Sequence, residues 1–526
     1  MTLESLAAGP PLDLAVIGGG INGAGIFREA ARAGLRAALF EAEDFGFGTT
    51  WRSTKLIHGG LRYLEHGDIL LVRESLRERE FLLRQRPHLV RPLPFLFPLL
   101  PWTRRPAWQI RTGLLLYDLL AWPRSLPGHR AFAPEEVRRR APAIAPEQRG
   151  GFGFYDARCR APERLALELV LEGVAAGGAA FNHVRVTRVL TAGGRVSGVE
   201  LDQGGTRIAV EARTVVNAAG PWADVVRAHA AAEGPPLLDL TRGTHIVLER
   251  DERAPRIALI STARSDGRIF FVIPSDRTVL IGTTDVRYEG DPGAVRPEPW
   301  EVAYLIEEAN ALLPGLGAKE ADVRYAYAGL RPLRRSRERD EGAISRREEL
   351  IDHGALGGPA GLFSVAGGKL STARPLAHRF LAAIGRRPPE EDGRSRGDGS
   401  AAFRTLGPGA PRRLAAYGPV LPDVLALGRD RLCDCCWTLV GEVRYAVRHE
   451  LARTLSDVLL RRTGIAWLPC RGLDCAERVA DVMAEECGWS LEERERQLEA
   501  LRRDLRRHLP SPTELGERAP APHRGQ

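Results

Sequence analysis

The sequence predicts an α/β fold: a doubly wound nucleotide-binding unit, interrupted by an antiparallel β-sheet insertion and followed by a helical domain. Three observations predict it. Residues 13–41 read DLAVIGGGINGAGIFREAARAGLRAALFE, a strand, a glycine-rich turn, a helix and a second strand. Residues 241–285 carry THIVLE, RIFFVIP and TVLIGTTD, β-branched and aromatic runs split by turn residues, which reads as antiparallel sheet. Residues 441–463 place Val443, Val447, Leu451, Leu455 and Leu459 every four residues, which reads as one amphipathic helix.

The first stretch carries the most chemistry. Leu14 to Ile17 is an apolar run long enough for a buried parallel strand. Gly18, Gly20 and Gly23 follow at G-x-G-x-x-G spacing. The first permits the tight turn, the second lets a pyrophosphate approach the backbone, and the third lets helix and strand pack closely. The helix is expected over 22–33 with Gly34 as its stop, and its free N–H groups face the pyrophosphate. The second strand ends at Glu41, where an acid accepts from a ribose 2′-hydroxyl and repels a 2′-phosphate, so FAD or NAD is favoured over NADP.

The 526-residue chain corresponds to about three or four domain-sized units. The opening MTLESLAAGPPL has no basic residue before Arg28, and no run reaches the roughly 18 apolar residues of a spanning helix. The expectation is a cytoplasmic protein, or one lying on a membrane face. A net charge of +8 without an aromatic-interleaved basic motif gives no support to a nucleic-acid partner. Arginine serves almost everywhere a cation is wanted. The only lysines are Lys55, Lys319 and Lys369, and the first and last sit beside glycine pairs in KLIHGG and GGKLS.

Residues 48–80 hold a hydroxyl-rich segment, then KLIHGGLRYLE, then a charged helix. Residues 89–123 alternate proline, leucine and aromatics, with Trp102, Trp108 and Trp122 near arginines. That segment reads either as a membrane-interface element or as a loop over the protein's own core. Strands are expected at 183–190, 195–201 and 207–211, and a buried strand in TVVNAAGPWAD at 214–224. LFSVAGGKLSTAR at 362 returns to the cradle as a strand leading into a helix. The expected division is 1–384 for the interleaved nucleotide and substrate parts, the β-rich part at about 240–345. A linker over 385–411, a helical domain over 412–509 and a disordered tail over 510–526 follow.

AVIGGGINGAG, STKLIHGGLRYLE, RPAWQIRTGLLLYD, VVNAAGPWAD, GTHIVLE, FVIP, IGTTD, GLRPL and VAGGKLST together resemble the FAD-dependent glycerol-3-phosphate dehydrogenases, within the D-amino-acid-oxidase-like flavoproteins. The resemblance covers about residues 12–500. It implies a Rossmann-like FAD-binding domain with an inserted substrate sheet. It also implies oxidation of sn-glycerol 3-phosphate to dihydroxyacetone phosphate, with electrons passing to a membrane quinone. In that pattern Arg62, Tyr63, Thr283 and Arg331 hold the substrate, a phosphomonoester suiting an arginine fork. His245 is the base, with His58 a rival base or a residue facing the flavin. Lys369 steadies developing negative charge. Gly18, Gly20, Gly23, Glu41, Thr50, Ser53, Thr54, Lys55, His58, Gly59, Gly220, Gly368 and Thr372 attend the cofactor. Trp51, Ser275, Ser371 and Ala373 depart from the usual pattern and leave fine substrate preference open.

A quinone reductase should touch the bilayer, which implies a peripheral position on the inner face of the cell membrane. A homodimer is one assembly the sequence leaves open. A flavin oxidase using O₂ on glycerol 3-phosphate or an amine is the alternative activity. A non-enzymatic FAD-binding protein would lack the charge constellation present here. Six of seven cysteines fall after residue 432. Cys433, Cys435, Cys470 and Cys475 resemble the ligand spacing of small [2Fe–2S] domains in anaerobic relatives. Cys436 and Cys487 are then left over, and the other reading is a set of reduced, packed thiols.

Overall fold

A computed structural model describes residues 2–65, 67–230, 234–335, 348–390, 395–433, 436–468 and 470–508. The side chain of Arg62, residue Cys435 and the tail expected over 510–526 lie outside the described residues, as does the end of the substrate part from 336 to 345.

The nucleotide unit is a six-stranded sheet. Its strands run in the order Glu349–Asp352, Leu362–Ala366, Val215–Asn217, Leu14–Ile17, Ala37–Phe40, Ala179–Phe181. All pairings are parallel except the first. The central strand Leu14–Ile17 is buried throughout, as a strand covered on both faces must be. Three of the strands come from beyond residue 214, so the chain leaves the cradle and re-enters it, as the sequence order implied. Helix Ile21–Arg32 packs on Pro162–Ala175 and Ala373–Ala383. Phe27 is fully buried there, and Cβ atoms at Gly173 or Gly178 would strike its ring at 2.4 and 2.6 Å. Burying one such ring contributes about 1.5–3 kcal/mol.

The expected antiparallel strands at 183–211 form a three-stranded sheet of Arg185–Ala192, Arg195–Gln203 and Thr206–Glu211. The substrate part is a larger mixed sheet. Its spine is Leu238–Glu249 paired antiparallel with Val323–Arg334, which sets His245 opposite Tyr327 and Thr241 opposite Arg331. On the spine's other edge, Thr278–Gly282 sets Gly282 opposite His245. Val90–Pro98, Gly151–Cys159 and Leu56–Ile57 also join this sheet. Apolar patterning marks a strand without naming its partner, so the 89–98 segment gave no sign that it paired here.

The C-terminal part is helical, with one correction. The helix expected over 441–463 ends at His449; Leu451 takes a left-handed φ of +60°, and a π-helical turn covers Asp457–Arg462. The leucine period continues through the break, but the polar residues set the backbone. Glu450 pairs with Arg164, and Arg461 and Arg462 reach Asp44 in the nucleotide unit. Helices Ala476–Cys487 and Leu491–Arg506 follow, the second capped by Ser490, whose hydroxyl accepts from the Glu493 N–H at 3.1 Å.

Candidate active site

A cavity of about 970 Å³ runs from the glycine turn through the junction of the two large sheets. Gly18 stands at φ +101°, and a Cβ there would meet the Ala218 carbonyl at 2.7 Å. A Cβ at Gly23 would fall 1.9 Å from the Gly18 carbonyl oxygen, while one at Gly20 would meet only the Thr50 hydroxyl at 3.4 Å. Gly23 therefore serves helix–strand packing and does not line the cavity, while Gly18 and Gly20 do. The Thr50 hydroxyl accepts from the Ile21 N–H at the helix start (3.0 Å). Glu41 accepts from the N–H groups of Gly19 (2.6 Å) and Glu43 (2.9 Å). Burial raises its carboxyl pKa above the ordinary range, the two N–H groups opposing the shift. A carboxylate has further lone pairs, so ribose hydroxyls can still be accepted.

At the far end stand Thr54, His58, Tyr63, His245, Arg331, Gly368 and Lys369. The spine register delivers His245, stacked on Tyr327 at 4.9 Å, with its Nε2 2.9 Å from the Thr54 hydroxyl oxygen. Burial, then the nearby Arg331 and Lys55, push its pKa down to about 3. The ring is therefore neutral at ordinary pH, with one nitrogen able to accept a proton. Arg331 is held in a fixed pose: it donates to Asp285 (2.9 Å), to the Thr283 hydroxyl and to the Thr284 carbonyl (both 3.1 Å). Lys369 places its ammonium 3.5 Å over the Tyr63 ring. Gly368 has φ +113°, and Asn22 occupies the space of any Cβ there while donating to the Gly367 carbonyl at 3.2 Å. The cradle helix and the GGKL turn are thereby tied together across the cavity.

A smaller chamber of about 90 Å³ adjoins this end, lined by His58, Tyr63, Arg268, Thr283, Asp285 and Arg331 among others. Arg268 and Asp285 were missed by the sequence reading. Asp285 ends the GTTD motif and could have been found as the partner Arg331 needs; Arg268 donates to its carbonyl and had no motif to mark it.

Several expected cofactor residues take other positions. Lys55, at φ +61°, stands 3.8 Å from Glu163 and is absent from the cavity lining. Gly59 also leaves the lining: its N–H donates to the Tyr117 hydroxyl at 2.8 Å, and a Cβ would strike Leu76 and Tyr117. Tyr117 in turn donates to Asp156, which Arg79 neutralises at 2.7 Å, so this buried set braces the KLIHGG loop from behind. The Thr372 hydroxyl accepts from the Lys369 N–H at 3.1 Å and holds the turn, not the cavity wall. Ser53 lines the cavity and donates to the Thr50 carbonyl, and Gly220 lines it with φ +56°. Arg52, Asn22 and Arg461 are lining residues that the sequence reading did not single out.

Of the expected cysteine set, Cys433, Cys470 and Cys475 lie near one another. The sulfurs of Cys433, Cys436 and Cys475 lie within 4.8 Å of one another, and Cys470 lies as close to Cys433. Cys436, left over in the sequence reading, is in the group; Cys435 lies outside the described residues.

A glycine-turn cradle opening onto a sheet that presents a neutral histidine and fixed cations defines a flavin-type oxidoreductase. The chain belongs to the FAD dependent oxidoreductase family, which it matches over residues 13–374, and residues 412–494 match the C-terminal domain of alpha-glycerophosphate oxidase. Its cofactor is FAD. A glycerol-3-phosphate dehydrogenase of Synechocystis sp. is 35% identical over 93% of this chain and 95% of its own. A D-erythritol 1-phosphate dehydrogenase of Brucella abortus is 36% identical over 86% of this chain and 94% of its own. Among solved structures, the glycerol-3-phosphate dehydrogenase from Bacillus halodurans complexed with FAD superposes with a TM-score of 0.76 at 27% identity, covering 98% of both chains. Glycine oxidase from Geobacillus kaustophilus shares the fold over 72% of this chain and 96% of its own, with a TM-score of 0.55 at 21% identity.

Proposed function

We propose that this protein oxidises sn-glycerol 3-phosphate to dihydroxyacetone phosphate and passes the electrons to a membrane quinone. The observation that supports this best is the joint placement of Arg331 and neutral His245 at the end of the cavity that begins at the glycine cradle, with Thr283, bonded to Arg331, in the adjoining chamber. The cradle backbone, Glu41 and the Gly367–Gly368 turn fit a flavin dinucleotide, which supplies the hydride acceptor when bound. Arg331, steadied by Asp285, and Arg268 offer the guanidinium donors that a phosphate dianion requires. His245 takes the substrate hydroxyl proton at Nε2, the nitrogen beside Thr54. A bound phosphate offsets the Arg331 charge that depresses this imidazole, so substrate itself makes His245 a better base.

The membrane assignment rests on the 89–123 segment. Among the described residues no helix is long and apolar enough to cross a membrane. Helix Ala107–Leu120 buries only Leu114 and Tyr117. Its outer side leaves Trp108 (70%), Leu115 (53%) and Leu119 (65%) exposed, with Trp122 (71%) beyond it. Leu70 on the neighbouring helix is 73% exposed. Aromatic and leucine side chains on one surface suit the headgroup boundary of a bilayer.

The test is a visible spectrum of the purified holoprotein under anaerobic conditions. Adding sn-glycerol 3-phosphate should bleach the flavin band, and a soluble quinone should restore it. No bleaching removes the substrate assignment, and D-erythritol 1-phosphate in a parallel cuvette compares the larger polyol phosphate. Peroxide formed under air as fast as quinone is reduced would favour the oxidase reading instead.

A further inference from the structure

The late cysteines belong to neither the FAD cradle nor the substrate chamber. Cys433 and Cys436 sit in a loop closed by an antiparallel bridge between Arg431 and Leu439, with the Leu432 N–H donating to the Thr438 carbonyl at 2.6 Å. Cys470 and Cys475 sit in a tight turn, where Arg471 (φ +54°) and Gly472 (φ +71°) are both left-handed. The Cys470 carbonyl accepts from Leu473 at 3.0 Å, and Cys475 opens helix Ala476–Cys487. Two short loops distant in sequence thus each present a pair of sulfurs to a common point.

The distances decide what that point can hold. Cys433, Cys436 and Cys475 are mutually within 4.8 Å, and Cys470 is within 4.8 Å of Cys433. Four thiolates around one zinc ion at about 2.3 Å stand about 3.8 Å apart. A two-iron cluster shares its thiolates between two metal centres, which holds the pairs further apart. The close cross-loop contacts of Cys475 with both Cys433 and Cys436 fit one centre and not two.

The surroundings hold the two cysteine segments in place. Arg413, itself paired with the buried Glu442, donates to the carbonyls of Cys436 and Trp437 at 3.1 and 2.9 Å and fixes the first loop. Arg478 donates to the Arg431 carbonyl at 2.8 Å and ties that loop to the helix opened by Cys475. The Thr438 hydroxyl lies 3.1 Å from the Cys436 sulfur, an outer-shell contact of the kind that orients metal-bound thiolates. Cys433, Cys436 and Cys475 are buried, while Asp474 lies within 4.8 Å of Cys433 and Cys470 on the exposed side.

We propose that Cys433, Cys436, Cys470 and Cys475 bind one zinc ion in a closed tetrathiolate site that pins the 431–439 loop to the 470–475 turn. Four protein ligands leave no open position, so the role is structural and not catalytic. Trp467, just before the second cysteine loop, stacks on Trp51 at 4.7 Å, next to the hydroxyl segment that lines the flavin cavity. The ion therefore steadies the C-terminal domain where it meets the cofactor-binding part.

The experiment is metal analysis of the full-length holoprotein, purified with a reductant and re-equilibrated with Zn²⁺ before desalting. About one zinc per chain is expected, released by a mercurial reagent as four thiols are consumed. Replacing zinc by Co²⁺ should give tetrahedral thiolate absorption beyond the flavin bands. Cys475→Ser should lose most of the metal, whereas Cys159→Ser and Cys487→Ser should keep it. Iron in place of zinc, with or without acid-labile sulfide, overturns the assignment. So does a wild-type chain that retains its flavin yet holds no zinc after re-equilibration, whatever the Cys475 variant does.

Discussion

Asp44 and Arg462 form a two-point ion pair across the seam between the nucleotide unit and the C-terminal helices, with distances of 2.7 and 2.8 Å and both residues buried. Asp44 also accepts from Arg461 at 2.6 Å and from Asn182 at 2.9 Å. Arg461 lines the flavin cavity, so the seam and the cofactor share a wall. Removing the carboxylate strands the buried Arg462 guanidinium and leaves Arg461 with Asp457 alone. Asp44→Ala should therefore lower stability by about 3–5 kcal/mol, against less than about 1 kcal/mol for Asp251→Ala in an exposed pair. Denaturant unfolding of the holoprotein measures both, and equal effects would remove the seam from its proposed importance.

His245 gives a pH prediction. The base works as neutral imidazole, and its pKa in the ligand-free protein is pushed down to about 3. Activity requiring this group is present above that pKa and lost as pH falls through it. kcat/KM, which reports the free enzyme, should show no acid limb from His245 between pH 5 and 8. His245→Asn should reduce kcat by roughly 10²–10⁴-fold while substrate affinity changes little. A wild-type limb near neutrality that disappears in His245→Asn would contradict the burial argument.

Arg331 is assigned to the phosphate. Losing a charge-assisted hydrogen bond costs about 1.5–3 kcal/mol, so Arg331→Leu should lower kcat/KM by roughly 10- to 150-fold, mainly through KM. The variant also leaves Asp285 without its 2.9 Å partner. Thermal stability and flavin content must be measured alongside. An unchanged KM in a stable, flavin-loaded variant would move the phosphate elsewhere, with Arg268 the next residue to change.

The membrane surface is tested by charge. Leu115→Glu with Leu119→Glu alters two exposed side chains and should leave folding within about 0.5 kcal/mol of wild type. Recovery on anionic vesicles should fall several-fold and soluble-quinone activity should persist. Leu114 is unsuitable because it is buried, and a change there would confuse unfolding with release.

The parts of this protein legible in its sequence are those fixed by local chemistry. The cradle was legible because an apolar strand, a glycine turn and a terminal acid each constrain their own backbone. Two of the three re-entrant strands, Val215–Asn217 and Leu362–Ala366, were legible from apolar runs ending in glycine, whereas the edge strand Glu349–Asp352 was not. Two other kinds of feature were not. The helix through Leu451 breaks because its polar residues answer Asp44 and Arg164, far away in sequence, and a leucine period carries no record of those partners. Lys55, Gly59 and Thr372 were placed by motif, but a motif names a loop without saying which side each residue faces. Cys436 was passed over for the same reason: spacing in the chain does not give spacing in space.

The two glycines of the turn separate folding from cofactor binding. A Cβ at Gly23 would lie 1.9 Å from the Gly18 carbonyl oxygen, a backbone atom that cannot swing aside. Gly23→Ala must push the helix off the strand, so it should lose stability and flavin together. At Gly20 a Cβ meets only the Thr50 hydroxyl at 3.4 Å, an ordinary contact, so Gly20→Ala should fold normally. Its added methyl does enter the space where a pyrophosphate approaches the backbone. The expected result is a stable, colourless Gly20→Ala protein that takes up added FAD at least tenfold more weakly than wild type. Unfolding midpoints and the ratio of flavin to protein absorbance read the two effects independently. A fully flavin-loaded Gly20→Ala protein would show that the pyrophosphate does not approach this turn.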